Sequence, residues 1–237
     1  SNNNAAETTY SSNLESFDTD GFTLGSATET NGNGETYVGW AWKAGNTWEF
    51  NIDGATSSIV NANTANGFSI VKWVGTANSQ TTVGHGLNST PELIISKNLD
   101  TAANDGWPVY SSAIGNDHTL FLNSDGGKSS SSGTWGSTSP TSSVFTVQDN
   151  ASNNQSGNEI IAYCFHSVSG YSKIGSYTGT GTSSRSFTLL DFQPDFVMVK
   201  SLTQSDGRWH MYDSARGVKK RLLANSNGAE YNEATGG

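Results

Sequence analysis

The chain has 237 residues, a formal net charge of −9 at pH 7 and only 14% charged residues. The acidic balance argues against a protein that binds duplex DNA or an anionic membrane surface, and no apolar run is long enough to span a bilayer. The single cysteine, Cys164, excludes an intrachain disulfide. Abundant Ser, Thr, Asn and Gly, with 11% aromatic residues, favour short strands and turns around an aromatic core.

The middle of the chain is repeated. Short strings of residues recur 102 or 103 positions further on, and the matched ranges are 67–69 with 170–172, 91–97 with 194–200, and 107–115 with 209–217. A fourth string, residues 157–165, matches residues 34–42, which lie 123 positions earlier. Such spacing predicts a structural unit that is repeated along the chain.

The matches divide the chain into four segments. These are the back half of one unit (1–45), a linker or insertion (46–66), one complete unit (67–169) and the front half of a further unit (170–237). Because both ends fall within a unit, we expect the chain to be part of a longer protein. Half-units expose strand edges, which invite pairing with other strands. We therefore expect other polypeptide to cover both ends.

Apolar runs predict strands, and clusters of Gly, Asn and Ser between them predict turns. The predicted strands cover residues 22–24, 37–43, 68–74, 92–97, 107–111, 119–122, 144–147 and 160–166. The Ser-rich residues 128–137 are predicted to form a loop. This pattern predicts an all-β fold of tandem, jelly-roll-like β-sandwich modules of about 100 residues, with partial repeats at both ends.

The predicted strand over residues 160–166 has two contrasting faces. Bulky side chains alternate along it with the small residues Ala162 and Cys164. Near-continuous apolar character predicts a central strand that is covered on both faces, and the small face would allow another sheet to approach closely. Cys164 is therefore predicted to be an inert thiol in the core.

The sequence contains no recognisable catalytic constellation. No Gly-x-Ser-x-Gly string surrounds a nucleophile, and no histidine keeps its type between the repeated segments. The carboxylates considered for glycoside hydrolysis are Glu92, Asp195, Asp206 and Asp213, and turn or solvent-facing roles explain each of them. We expect a protein that is not an enzyme and has no cofactor and no metal site. Calcium binding by the Asp- and Asn-rich loops is the open alternative, with Asp117, Asn123 and Asp125 as the residues nearest to a cluster.

The one basic cluster lies near the end of the chain and consists of Arg216, Lys219, Lys220 and Arg221. It is predicted to be a solvated loop in which Asp213 pairs with Arg216 across a turn. The alternative is a site that grips phosphate groups of a polysaccharide or carboxylates of an acidic chain.

Seven tryptophans are many for a chain of this size. Four of them have an aromatic residue at the matched position of another copy. Trp107 matches Trp209, Trp40 matches Tyr163, and Trp42 matches Phe165. These matches predict core packing for Trp40, Trp42, Trp107 and Trp209. Trp48 and Trp135 have no matching aromatic and are predicted to lie in loops or insertions. Because exposed aromatic faces stack on sugar rings, these two are the candidate ligand-binding residues.

The repeated strings also resemble a known family. The strings that carry the resemblance are residues 34–45, 67–71, 83–87, 140–145, 162–165, 175–179 and 213–217. They resemble a family of repeat domains of unknown function in large structural proteins of phages, marine phages among them. Such proteins are usually described as tail-fibre or virion proteins, so the resemblance implies a location on the virion surface and no particular site residues.

The sequence leaves three candidate functions. The first is a phage tail-fibre or adhesin protein that attaches to a host-surface polysaccharide through several weak copies of one site. The second is a structural spacer or capsid-decorating module. The third, disfavoured, is a depolymerase. The expected partners are other virion proteins or copies of the chain itself, as in a homotrimer, and a host glycan, with no nucleic acid and no membrane insertion.

Overall fold

The computed structural model describes residues 4–100, 106–130, 132–181, 186 and 190–232. The chain forms two compact units. The smaller unit is Glu7–Trp42, and the larger one contains Ser1–Ala6 and Lys43–Gly237. Each unit is described by itself.

The smaller unit is a β-hairpin followed by one helical turn. Strand β1 (Leu14–Phe17) pairs antiparallel with β2 (Phe22–Leu24), and α1 (Thr28–Asn31) follows. Asp18 begins the turn and accepts hydrogen bonds from the hydroxyls of Ser16 and Thr23. The predicted strand over residues 22–24 is confirmed, but its phenylalanine side chain is exposed rather than buried.

The predicted strand over residues 37–43 is wrong. This segment contains no strand, and the hydroxyl of Tyr37 donates a hydrogen bond to the carbonyl of Thr28 at 2.6 Å. The physical reason is that a central strand needs a partner on each side to satisfy its backbone groups. In the structure, the hydrogen-bonded strand pairs of the smaller unit are those of β1 with β2.

The larger unit is built on an eight-stranded antiparallel sheet with the order β10-β9-β8-β7-β12-β5-β4-β3. Its strands are β3 (Glu49–Asn51), β4 (Ser58–Asn63), β5 (Phe68–Val74), β7 (Leu93–Asn98), β8 (Pro108–Ser111), β9 (His118–Phe121), β10 (Ser129–Ser130) and β12 (Glu159–Phe165). A second pair, β6 (Thr81–Gly84) with β11 (Val144–Val147), lies outside this sheet. The all-β prediction is confirmed.

Strand β12 is the centre of the sheet, with β5 on one side and β7 on the other. Its small face, Ala162 and Cys164, is completely buried in a core that also contains Val83 of β6 and Phe145 of β11. The predictions of a central strand and of a buried Cys164 are therefore confirmed. Burial raises the pKa of the Cys164 thiol, which keeps it protonated and unreactive.

A four-stranded antiparallel meander follows in the last part of the chain. It consists of β13 (Phe196–Val199), β14 (His210–Asp213), β15 (Lys220–Leu223) and β16 (Tyr231–Asn232). Trp209 is buried with Ile95, Val109 and Leu120 in a second core on the other face of the large sheet. The Trp209 indole donates a hydrogen bond to the carbonyl of Phe121 at 2.9 Å, which fixes this packing.

The register of this meander repeats that of β7–β10. In the first meander Leu93 pairs with Ser111, and in the second Phe196 pairs with Asp213 at the matched positions. The other pairs of the first meander recur in the same way, and β13–β14 has one additional pair, Val199 with His210. The sequence repeat therefore corresponds to a repeat of strand pairing.

The turn after the third strand of each meander repeats as well. The side-chain oxygen of Asn123 accepts the backbone N–H of Trp107 at 2.9 Å, and Asn225 accepts that of Trp209 at 3.1 Å. These asparagines therefore close the two meanders in the same way.

Residues 128–137 are not a loop as the sequence predicts. They contain β10, which pairs with β9, and the helical turn α2 (Ser132–Trp135). The turn is stabilised by tertiary packing of its tryptophan, which a single sequence does not reveal.

Candidate functional site

An open groove of about 610 Å³ lies beside β3 and β4, at one edge of the large sheet. Its walls come from residues within the ranges 43–53, 60–65 and 86–88, and Trp48 lies beside the lining residues without being one of them. We call it the β3–β4 groove. The segment that the sequence marks as a linker or insertion, residues 46–66, thus forms two strands and most of the groove.

Close backbone packing fixes the wall that precedes β3. The Asn63 amide donates hydrogen bonds to the carbonyls of Lys43 and Ala44, at 3.2 and 3.5 Å. Gly45 lies so close to β4 that a Cβ atom there would be 2.6 Å from the carbonyl oxygen of Ala62. A larger residue would push this wall away from β4.

The turn between β3 and β4 is fixed against β6. The backbone N–H groups of Ala55 and Thr56 donate to the hydroxyl and the carbonyl of Thr82, each at 2.9 Å. Gly54 permits this contact, because a Cβ atom there would clash with the Thr82 carbonyl oxygen. The two strands that carry the groove are therefore held at both ends.

Several polar side chains in the groove have hydrogen-bonding capacity to spare. Within the described part of the chain, the exposed polar side chains that line the groove and make no hydrogen bond belong to Lys43, Asn46, Thr47, Glu49, Thr64 and Asn88. Amides, hydroxyls and carboxylates of this kind are the groups that bind sugar hydroxyls. By contrast, Asn51 and Asp53 bind each other at 2.9 Å.

Two aromatic side chains accompany these polar groups. Phe50 lines the groove and is 72% exposed, and Trp48, which directly precedes β3, is 52% exposed. An aromatic face in water beside unpaired hydrogen-bonding groups suits a ligand with both C–H and O–H surfaces, such as a carbohydrate.

The family of the chain follows from a comparison with known proteins. A family described as "Domain of unknown function (DUF7483)" matches residues 1–236. The chain belongs to this family. The match covers the same span as the resemblance to a repeat family of unknown function, but the DUF7483 description names no phage and no tail fibre. No curated protein and no solved structure matches the chain.

Trp135 of this DUF7483 chain does not lie in an exposed loop, so that prediction is wrong. It ends α2 and is only 2% exposed. Its indole packs edge-on against Tyr110, with ring centroids 6.0 Å apart, and donates a hydrogen bond to the buried Thr119 hydroxyl at 3.2 Å. The faces of Trp135 are therefore in the core, and only Trp48 of the two predicted ligand-binding residues reaches solvent.

The four tryptophans that the sequence places in the core differ in how deeply they are buried. Trp209 is buried and Trp107 packs partly buried against the same core, as predicted. Trp42 is 48% exposed, which makes its core prediction wrong, and Trp40 is half-buried. Both lie in the segment that lacks the predicted strand.

The carboxylates considered for hydrolysis are held by local hydrogen bonds. Glu92 accepts the N–H of Ser167 at 2.6 Å, and Asp195 accepts the hydroxyl of Ser214 at 2.8 Å. Asp206 is exposed in a turn. The structure thus gives these groups roles in strand ends and turns.

The predicted pairing of Asp213 with Arg216 is confirmed, at 2.6 Å. Burial opposes ionisation of Asp213, but the hydrogen bonds from Arg216 outweigh it and lower the pKa of the carboxyl. Arg216 also pairs with Glu230, as does Lys220. Since Lys220 and Arg221 belong to β15, the basic cluster is only partly a loop.

No group of three His, Cys, Asp or Glu residues among the described residues could hold a metal ion. For the calcium alternative, the side-chain oxygen of Asn123 already accepts the backbone N–H of Trp107 and closes a turn. The described residues also include no helix long and apolar enough to cross a membrane.

Sequence reasoning missed most of the groove. Phe50 stands two residues after Trp48, so an alternation of aromatic and polar residues in 46–51 was the available signal. Asn88 could not be found in this way, because only the fold brings it beside β3.

Proposed function

We propose that the protein is a non-catalytic attachment protein of a phage virion, of the tail-fibre or adhesin type. It binds a host-surface polysaccharide through the β3–β4 groove and the neighbouring Trp48. The virion surface is its location, and repeated β-sandwich modules display the groove. The observation that carries the proposal is the combination of exposed aromatic faces and polar side chains without hydrogen bonds on or beside two paired strands.

Three features support this proposal over a catalytic one. The groove is open, so it accepts an extended polymer chain rather than one enclosed small molecule. Its polar groups suit sugar hydroxyls. A site of this kind binds weakly alone, but several copies on one particle raise the total affinity. The phage assignment itself is supported by the resemblance of the repeated strings.

A structural spacer or capsid-decorating module is the second candidate. The observation that favours it is the apolar surface of the hairpin in the smaller unit, where Phe17 is 87% exposed and Phe22 and Leu14 are also exposed. Exposed apolar surface of this kind marks contacts with other proteins. Its partners would be other virion proteins or copies of the chain.

Replacing Phe50 or Trp48 by alanine is expected to weaken polysaccharide binding at least tenfold, because each change removes a stacking surface. The measurement is binding of the fluorescently labelled chain to a microarray of purified bacterial surface polysaccharides, followed by titration of the best binder. Both residues are exposed, so the variants keep the fold.

Tyr10→Ala is the matched control, since Tyr10 is an exposed aromatic residue outside the groove. It is expected to bind like the unmodified chain. Equal losses in all three variants, or binding that is unchanged in both groove variants, would refute the assignment of the groove. Absence of binding to every polysaccharide would favour the spacer.

A further inference from the structure

In the complete unit, residues 67–169, the central strand has a paired strand on each side. Strand β12 lies between β7 and β5, and Cys164 pairs with Ile94 on one side and with Ser69 on the other. One aromatic pair closes the end of this arrangement, since Phe165 stacks on Phe68 with ring centroids 4.8 Å apart.

The chain contains a second β12-like segment that is not in a sheet. Residues 36–42 match β12 at the 123-residue spacing, but they form no strand. Tyr37 and Trp42 are about half exposed, whereas β12 lies at the centre of the large sheet. The segment has the sequence of a central strand and the exposure of a surface segment.

The chain also contains a second receiving site. Strand β13 matches β7, and it is the outer strand of its sheet, so the position that β12 occupies beside β7 lies at a sheet edge here. Val197 is 39% exposed, while the matched Ile94 of β7 is 0% exposed. Val197 therefore lacks the neighbouring strand that pairs with Ile94, which in the complete unit is β12.

The third matched element shows the same deficit. Residues 171–177 correspond to β5, which in the complete unit pairs with β12 along its whole length. They form no strand, and Tyr171 and Tyr177 are about half exposed. The segment begins in a turn in which the N–H groups of Tyr171 and Ser172 donate to the carbonyl of Val168, so it lacks the strand ladder that β5 makes with β12, and strand addition would replace this turn.

We propose that residues 36–42 of one copy of the chain add as a β-strand between β13 and residues 171–177 of a second copy, in the register of β12. In that register Ala41 pairs with Val197, and Trp42 stacks on Tyr171 as Phe165 stacks on Phe68. The mode is strand addition to an exposed sheet edge.

Charge and backbone chemistry at the end of the strand fit this arrangement. Glu92 accepts the N–H of Ser167 just after β12. The matched groups are Asp195 and the N–H of Ala44, so the carboxylate meets an equivalent donor from the second copy. Lys43 of that copy then lies beside Asp195, and the pair has opposite charges.

The aromatic side chains of the segment supply part of the contact area, and the added strand supplies backbone hydrogen bonds. A buried aromatic side chain covers about 150–250 Å², and the segment contributes Tyr37, Trp40 and Trp42. Because Tyr37 and Trp42 are about half exposed and Trp40 is half-buried, association can bury only about half of that area, so the contact is smaller than the roughly 800 Å² per partner of a standard interface. Because the donor and receiving surfaces differ, the contact is head-to-tail, which produces rings or open chains of copies.

The first test is the substitution Ala41→Arg. Ala41 is exposed, but the matched Cys164 is fully buried, so arginine is tolerated in the single chain and excluded from the added strand. Sedimentation over a range of concentrations is expected to show association of the unmodified chain and roughly hundredfold weaker association of the variant. Ala113→Arg, at an exposed alanine away from the segment, is the control and associates normally.

The second test fixes the register. Ala41→Cys and Val197→Cys are made in separate chains, mixed and oxidised with oxidised glutathione, which accepts the electrons of the two thiols. Non-hydrogen-bonded cross-strand partners have Cα atoms close enough for a disulfide. We expect a covalent dimer from this mixture and far less from Gly39→Cys with Val197→Cys, which is two residues out of register.

Two results overturn the proposal. One is a chain that stays monomeric at all concentrations and gives no crosslink between the mixed variants. The other is a disulfide that forms only when both cysteines are in one monomeric chain, which would mean that each chain completes itself. Neither result depends on polysaccharide binding, so failure here is distinguishable from failure of the attachment function.

Discussion

Replacing Trp135 by alanine is expected to lower the free energy of unfolding by about 3–5 kcal/mol, the usual cost of removing a large aromatic side chain from a core. Trp135 is 2% exposed, packs against Tyr110 and donates its indole N–H to Thr119. The substitution creates a cavity and leaves the buried Thr119 hydroxyl without this donor. Both effects destabilise the folded state.

Urea denaturation followed by circular dichroism measures this loss. The midpoint should fall while the slope stays constant, because the surface exposed on unfolding is nearly the same. Trp48→Ala is the matched control, since it removes the same side chain from an exposed position, and it should change stability by less than about 0.5 kcal/mol. Similar losses in the two variants would contradict the placement of Trp135 in the core.

Acidification from pH 7 to pH 5 is expected to cost about 2 kcal/mol of stability through His85 alone. His85 is completely buried, and burial lowers its pKa from 6.5 to about 4, although the hydrogen bond to the Thr141 carbonyl opposes this shift. Its Nδ1 accepts the N–H of Leu87 at 3.2 Å, so the ring is neutral with the proton on Nε2.

The direction follows from the difference in bound protons. Between pH 6.5 and pH 4 the unfolded chain protonates His85 and the folded chain does not, so stability falls as the pH is lowered through this window. Above about pH 7.5 His85 contributes almost no pH dependence, because neither state binds its proton there. Urea midpoints at pH 7, 6 and 5 measure the slope.

His85→Gln should be less stable at pH 7 but should lose this slope, because glutamine does not titrate. The range above pH 5 is chosen because the pKa values of Asp18, Asp191 and Asp213 are lowered, which places their titration at more acidic pH. An unchanged slope in the variant would contradict the buried neutral state of His85.

Repeated sequence predicted repeated strand pairing well. The β7–β10 register recurs in β13–β16 because the strands and the asparagine-closed turns are local features. The central position of β12 and the burial of Cys164 also followed from a continuous apolar run.

The same pattern failed where strands depend on partners. Residues 37–43 resemble β12 but form no strand, because a strand is stabilised by its neighbours and not by its own sequence alone. Trp135 was misplaced for a related reason. Its burial comes from contacts with Tyr110 and Thr119, which lie far away in sequence.

The β3–β4 groove could be predicted from the sequence only in part. Trp48 was identified as exposed from the absence of a matching aromatic, and the structure agrees. The β3–β4 hairpin and the approach of Asn88 are tertiary features, since residues 43–53 and 86–88 come together only through the sheet and the contacts with β6.

Nuclear magnetic resonance of the ¹⁵N-labelled chain tests the central claim most directly. An oligosaccharide of the polysaccharide that binds best on the array is titrated into the protein. We expect the amide shifts to concentrate in residues 43–53, 60–65 and 86–88, together with the indole N–H of Trp48. Shifts concentrated elsewhere, or no shifts with any bacterial surface polysaccharide, would contradict attachment through the β3–β4 groove.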